Sequence, residues 1–150
     1  MGRKYVSFTI GDGNYALPLE EVSQIARYEQ PIEVPSAPAF VEGVINLAGE
    51  VVPVVHLRKR FGLPSGAASR RSRVIVTERE GRRYALLVDA VREILELDEA
   101  NVSTEATSVF GLKAEFVVGI AKVRDSLLVL LDVFRILAAS PEVPFREPCP

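Results

Sequence analysis

Tyr15-Ala16-Leu17-Pro18-Leu19-Glu20-Glu21-Val22-Ser23-Gln24-Ile25 returns 69 residues later as Tyr84-Ala85-Leu86-Leu87-Val88-Asp89-Ala90-Val91-Arg92-Glu93-Ile94. Both stretches keep the pattern Y-A-L-x-apolar-acidic-x-V-x-x-I. A second echo runs at an offset of 76, Phe40-Val41-Glu42-Gly43-Val44 against Phe116-Val117-Val118-Gly119-Ile120. At that offset Val51, Val52, Val54 and Val55 fall on Leu127, Leu128, Leu130 and Leu131, and Phe61 falls on Leu137. Apolar coincidences are cheap in a chain rich in Val and Leu. Matched Tyr-Ala-Leu and Phe-Val-x-Gly in the same order are not. The repeat predicts two similarly built subdomains, residues 15–65 and 70–137 of one domain over 1–140, with the termini open to exchange between them. The change of offset places a seven-residue excess between Ile94 and Phe116, where the small and polar residues 101–114 read as a loop.

Outward from the repeat the chain reads as short strands and turns. Residues 5–10 alternate and are β-branched or aromatic, as a strand should be. Gly11-Asp12-Gly13-Asn14 is a hairpin turn, since two glycines reach φ > 0 without steric cost. Residues 22–28 form another strand. Pro31, Pro35 and Pro38 break structure, and residues 39–42 read as one helical turn. Residues 44–47 and 50–57 make a hairpin around Ala48-Gly49. Its return strand is apolar at nearly every position, so both faces should be covered. Pro53 lies within it and lacks a ladder donor, which predicts a bulge or an edge. A helical turn over 58–61 stops at Gly62, and 65–72 is a polar linker. Hairpins follow at 73–88 around Gly81 and at 116–131 around Arg124-Asp125-Ser126, with a strand over 91–97 between them. Asp132 should cap a closing helix over 133–139. Four prolines make 141–150 a disordered tail. Evenly spaced short strands, about five per half, predict an all-β fold of two small SH3-like barrels, closure being the way small sheets remove exposed edges.

Composition sets the class. At 150 residues, with 48% hydrophobic and 25% charged side chains, the chain is an ordinary globular domain. Its single cysteine, Cys149, excludes an internal disulfide. The start lacks the apolar core of a signal peptide, and no apolar run is long enough to span a bilayer, so a cytoplasmic protein is expected. The net charge of −2 is uneven: nine basic and only two acidic residues lie between Leu57 and Arg83. That stretch reads either as a solvated face or as a patch that steers an acidic partner.

Candidate chemistry is sparse, and no catalytic, cofactor-binding or metal residue is expected. His56 is the one histidine, with no Cys, Asp or Glu beside it to share a metal. Its repeat partner is Asp132, so it reads as a substituted helix cap or a junction residue. No serine sits in a nucleophile elbow. Glu20-Glu21 are neighbours whose side chains would diverge on a strand. Gly11-Asp12-Gly13 precedes a strand and not a helix, which excludes a dinucleotide cradle. Arg58-Lys59-Arg60, Arg70-Arg71 and Arg82-Arg83 could meet phosphates, but Phe61 and Tyr84, the aromatics near them, have core-like repeat partners. Nucleic-acid binding is therefore a distant alternative.

The run Gly43-Val44-Ile45-Asn46-Leu47-Ala48-Gly49-Glu50-Val51-Val52-Pro53-Val54-Val55-His56-Leu57-Arg58-Lys59-Arg60-Phe61-Gly62 resembles the G-V-I-N-L-R-G-x-V-x-P-V-x-D-L-R-x-x-F-G motif of the CheW family of chemotaxis coupling proteins. Arg73-Val74-Ile75-Val76 with Leu87-Val88-Asp89-Ala90-Val91 resembles its second signature. Gly119-Ile120-Ala121-Lys122 with Leu130-Leu131-Asp132 resembles its third. The likeness runs from Tyr5 to Leu137. It implies two five-stranded SH3-like barrels and a scaffold that joins the regulatory domain of a CheA-type histidine kinase to the cytoplasmic tips of methyl-accepting chemoreceptors, at membrane receptor arrays. It places Phe40, Val41 and Gly43 on the kinase-facing surface, and Val22, Gln24, Ala48 and Arg73 along the receptor groove. Val22 and Phe40 also have repeat partners, which core packing equally explains. Ala48 stands where the family usually has arginine, His56 where it usually has aspartate, and Gln24 where some relatives have glutamate. A stand-alone relative of the kinase regulatory domain, acting as a competitor in the array, is the runner-up.

Overall fold

A computed structural model describes residues 2–35, 37, 39–64, 68–104 and 116–137. Eleven strands are formed by these residues: β1 Gly2–Ile10, β2 Gly13–Pro18, β3 Val22–Arg27, β4 Val41–Leu47, β5 Glu50–His56, β6 Arg73–Arg79, β7 Arg82–Val88, β8 Ala90–Asp98, β9 Val102–Ser103, β10 Val117–Val123 and β11 Ser126–Leu131. Two short helices, α1 Leu57–Arg60 and α2 Val133–Leu137, follow β5 and β11. One sheet has the order β8-β1-β2-β11-β10-β9 and the other β3-β6-β7-β5-β4. The fold is all-β, with two SH3-like units.

The sheets cut across the sequence repeat. β1 and β2 join β8, β10 and β11 in the first sheet, while β6 and β7 join β3, β4 and β5 in the second. Each half therefore lends its leading hairpin to the other half's sheet. The pairing is equivalent residue for residue. Ala16 faces Leu130 in the parallel pair β2–β11, and Ala85 faces Val54 in β7–β5. These pairs differ by 69 on one strand and 76 on the other, the two offsets of the repeat. The bulges correspond as well, between Val117 and Gly119 on β10 and between Val41 and Gly43 on β4.

Two-sided burial follows from this layout. Val52 and Val54 of β5 with Ala85 and Leu87 of β7 fill one barrel's own interior. Ala16, Ala121, Leu128 and Leu130 fill the other's. The alternate positions, Val55, Tyr84 and Leu86 on one side and Tyr15, Leu17, Val129 and Leu131 on the other, meet in a central core shared by both sheets. Strands covered on both faces lose the polar half of the period-two pattern, which is why β7 and the later parts of β5 and β11 read as apolar runs; Val51 and Leu127, near their starts, stay exposed.

Some expectations need correction. Residues 39–42 do not form a helical turn: 39 and 40 turn and Val41 already opens β4. Pro53 causes no bulge and β5 is an inner strand. Val44, opposite Pro53, spends its own N–H and C=O on Ile32, at 2.9 and 2.8 Å. The Pro53 nitrogen thus points to the β7 side, where the ladder begins only at Val54. Within 101–114, Val102 and Ser103 make a short strand, which gives the first sheet a sixth member. The closing helix is seen from Val133 to Leu137, and the tail 141–150 with Cys149 lies outside the described residues.

The turns obey the local chemistry. After α1, Gly62 takes φ 76, Leu63 N–H bonds Arg58 C=O at 2.8 Å and Gly62 N–H bonds Lys59 C=O at 3.1 Å. This is a Schellman stop. The two-residue loop of the β4–β5 hairpin holds both members left-handed, Ala48 at φ 51 and Gly49 at φ 88. A Cβ at such a φ costs about 1 kcal/mol. Ala48→Gly is expected to stabilise the chain by about 0.5–1 kcal/mol, read as a higher denaturant midpoint at unchanged slope.

Candidate functional site

The seven residues expected to carry partner contacts fall into three places. Phe40, Val41 and Gly43 enter β4, where Phe40 C=O accepts the His56 N–H at 2.7 Å. Phe40 packs half-buried on the central core, its ring 4.9 Å from the Arg60 guanidinium. Gly43 is buried at the bulge. Val22, Gln24 and Arg73 sit on neighbouring strands: Val22 faces Thr77, Gln24 faces Val76, and Arg73 faces Arg27. Gln24 is exposed, while Val22 leans on the central core. Ala48 is exposed at the tip of the β4–β5 hairpin, on the flank of the sheet opposite β3.

What the sequence reading missed is an apolar face. Ile45, Val52 and Val54 point into the barrel, so Val44, Asn46, Val51 and Pro53 point out of it. The Ile32↔Val44 bridge adds Ile32 to the same row. Ile32 is 73% exposed and Val51 58% exposed. The signal lay in two places: an isoleucine inside a proline-punctuated loop, and a valine on the solvent side of a hairpin. Neither stands out without knowing which face is inside.

A polar junction links the two sheets. Asp89, between β7 and β8, accepts two hydrogen bonds from Arg58 of α1 at 2.5 and 3.1 Å and one from Gly11 N–H at 2.7 Å. Its own N–H reaches Thr9 C=O at 3.0 Å. Helix, crossover and β1–β2 turn are thereby joined across the two sheets. Burial alone would raise the Asp89 carboxyl, but the Arg58 and Gly11 hydrogen bonds more than offset it and hold it below the ordinary carboxylate value. The leucine-arginine pair in the long motif thus has a structural reason.

His56 is buried beside Glu42, with Nε2 3.4 Å from a Glu42 oxygen whose partner oxygen is 3.6 Å from Lys59 Nζ. Among the described residues nothing bonds His56 Nδ1. Asp132, in the equivalent place, accepts the Arg135 N–H at 3.2 Å and caps α2, whereas His56 makes no side-chain cap to α1. Burial pushes the imidazole below its ordinary value, Glu42 pulls it up, and Lys59 and Arg58 push it down again. A folded-state pKa below the unfolded one means stability is whole above about pH 6.5 and drains away as the pH falls, because only the unfolded chain takes the proton. Urea midpoints between about pH 7 and 5.5 should therefore fall faster for the natural chain than for His56→Gln.

Among the described residues no three His, Cys, Asp or Glu side chains converge as a metal would need. No helix of the described residues is long and apolar enough to cross a membrane.

Comparison with known proteins places the chain. A family model described as a CheW-like domain matches residues 4–140. The chain is 27% identical over 139 residues to the chemotaxis protein CheW of Klebsiella aerogenes, covering 93% of this chain and 84% of that one. It is 30% identical over 133 residues to the chemotaxis protein CheW of Thermotoga maritima, covering 88% and 85%. The crystal structure of the scaffolding protein TtCheW from Thermoanaerobacter tengcongensis superposes with a TM-score of 0.84 at 33% identity, covering 91% of this chain and 88% of that one.

Proposed function

This chain belongs to the CheW-like family, and on that footing we propose that it is a non-catalytic coupling adaptor of chemotaxis signalling, joining a CheA-type histidine kinase to chemoreceptor tips at membrane arrays. One observation carries the reading: the barrel that supplies α1 leaves apolar side chains of a sheet face uncovered, Ile32 and Val51 foremost. An exposed apolar patch on a small soluble domain marks a place where another protein sits. An adaptor needs such faces and no catalytic constellation.

The kinase regulatory domain takes this outer face of the β4–β5 hairpin. Phe40 and Gly43 support it from within, and Ile32, Val51 and the half-buried Val41 make the contact. The receptor tip takes the other flank, along β3 with Val22, Gln24 and Arg73; Ala48, at the hairpin tip on the opposite flank, stands apart from that surface. Splitting the roles leaves both partners bound at once, which coupling requires.

Reconstitution tests it. Kinase and receptor membranes are mixed with increasing amounts of the protein and phosphorylation is followed with and without attractant. A coupler raises receptor-controlled phosphorylation, and Val51→Asp removes that gain by weakening kinase binding while its own unfolding midpoint stays close to the natural chain's. A steady fall in phosphorylation would mark a competitor for the kinase, and no effect on either component would remove the adaptor reading.

A further inference from the structure

Most basic residues between Leu57 and Arg83 are engaged inside the molecule. Arg58 pairs with Asp89, Lys59 with Glu42 and Arg83 with Glu50. Arg79 lies 3.7 Å from the centre of the Phe134 ring, and Arg60 between the rings of Phe40 and Phe116. Arg70, Arg71 and Arg73 differ: among the described residues no carboxylate pairs with any of them. Directly opposite Arg73, on the last position of β3, stands Arg27, which has none either.

Two like charges facing each other across an antiparallel pair destabilise a sheet. Here they are held together. Arg73 Nη1 donates to the carbonyls of Arg70 and Ser72, both at 2.8 Å. The turn carrying Arg70 and Arg71 is fixed by Ser72 N–H on Ser69 C=O at 3.1 Å, Ser69 N–H on Ser72 Oγ at 2.9 Å and Arg71 N–H on Ser69 Oγ at 3.2 Å. The turn and the Arg73 side chain are thus set before any partner arrives. The cluster also lies at an open edge, since among the described residues β3 begins its sheet and pairs on one side only. Ile25, two residues before Arg27 and on the same face, is 40% exposed.

We propose that Arg27, Arg70, Arg71 and Arg73 form a docking site for an acidic segment of a protein partner laid along the free edge of β3. Carboxylates would meet four guanidinium forks, one of them held in place, and form the strongest class of hydrogen bond available to them. The edge offers unpaired main-chain groups and Ile25 an apolar foothold, as an added peptide strand requires. Nucleic acid is the poorer fit: Tyr28, the aromatic next to Arg27, packs into the barrel interior and is not presented for base stacking. The inference rests on the adaptor reading and names the chemistry of one of its partners. The opposed arginines are a stability cost kept for binding.

The test uses the full chain with three probes: a short Glu-rich peptide, the same peptide with Gln for Glu, and a single-stranded oligonucleotide of equal charge. The Glu-rich peptide should bind in a strongly salt-dependent way and the Gln peptide should not. Arg27→Gln with Arg73→Gln should weaken binding roughly tenfold or more. The same double variant should melt close to the natural chain, relief of the opposed charges offsetting the loss of the Arg73 bonds to the Arg70 and Ser72 carbonyls. Equal binding of the two peptides, natural affinity in the double variant, or tighter binding of the oligonucleotide would overturn the proposal, the last reassigning the patch to nucleic acid. Receptor-tip and kinase-domain binding are measured in parallel. If neither binds the natural chain while the peptide contrast stands, the adaptor reading fails and this site survives. If both bind the double variant as they bind the natural chain, this site fails and the adaptor reading survives.

Discussion

Phe61→Ala should lower the unfolding free energy by about 3–5 kcal/mol, the usual cost of emptying a large aromatic site in a core. Phe61 follows α1, on the β5 side of the molecule, yet its ring contacts belong to the other sheet. It lies 5.9 Å from Tyr15 and 5.5 Å from Phe116, and Tyr15 continues to Phe8 at 6.0 Å. Its loss opens a void where the two barrels meet, not within either one. Aromatic pairs add about 0.5–1.5 kcal/mol beyond the area they bury. Arg60, next along the chain, depends on the same contact: its guanidinium is 4.6 Å from Phe116 and donates to the Ile136 carbonyl at 2.9 Å. Urea unfolding of Phe61→Ala should show the lower midpoint, and Phe61→Leu should recover a good part of the loss by refilling the space. A Phe61→Ala chain as stable as the natural one would mean the barrels do not depend on each other there.

Gly43→Ala is expected to cost a comparable amount, about 3–4 kcal/mol, combining left-side backbone strain with the loss of two hydrogen bonds. Gly43 sits at φ 147, and a Cβ there would come 2.2 Å from the Ile32 carbonyl oxygen and 2.7 Å from its carbon. That carbonyl accepts the Val44 N–H, so the Ile32 bridge cannot stay where it is. Gly119, the repeat partner, provides the internal control. Its added Cβ would meet the Val102 side chain at 2.7 Å and the Ser103 carbonyl at 3.0 Å, without a positive φ. A side chain can move aside more cheaply than backbone, so Gly119→Ala should cost clearly less. Beyond stability, Gly43→Ala should weaken kinase-domain binding, because Ile32 would leave the apolar face. Equal midpoints for the two alanine variants would remove this account of the bulge.

The turns were legible because their chemistry is local. Ala48-Gly49, Gly81 and Arg124-Asp125 mark two-residue loops by position between apolar runs, and all take positive φ. The apolar run of β5 suggested cover on both faces; Val52, Val54 and Val55 are buried, but Val51 on the outer face is 58% exposed. Pro53 misled because the rule for proline concerns the direction of one missing donor, and that direction depends on which neighbour Val44 chooses. The places of the candidate contact residues were partly legible. Phe40 and Gly43 stood out through the Phe-Val-x-Gly repeat, and the structure gives each an internal role: the Phe40 ring lies beside Arg60, and Gly43 leaves room for the Ile32 carbonyl. Arg73 was visible as part of a basic stretch, but not its opposition to Arg27, 46 positions away in the chain.

The sequence by itself determined an all-β chain of short strands, the position of its hairpins and the existence of two equivalent halves, since alternation and turn preference are set by nearest neighbours. Only the tertiary structure decided that β2 joins β11 and β7 joins β5. The two lent hairpins carry the same pattern, so neither strand's side chains say which parallel partner is its own. Loop closure, and the fit of Tyr15, Phe61 and Phe116 in one shared core, choose between them.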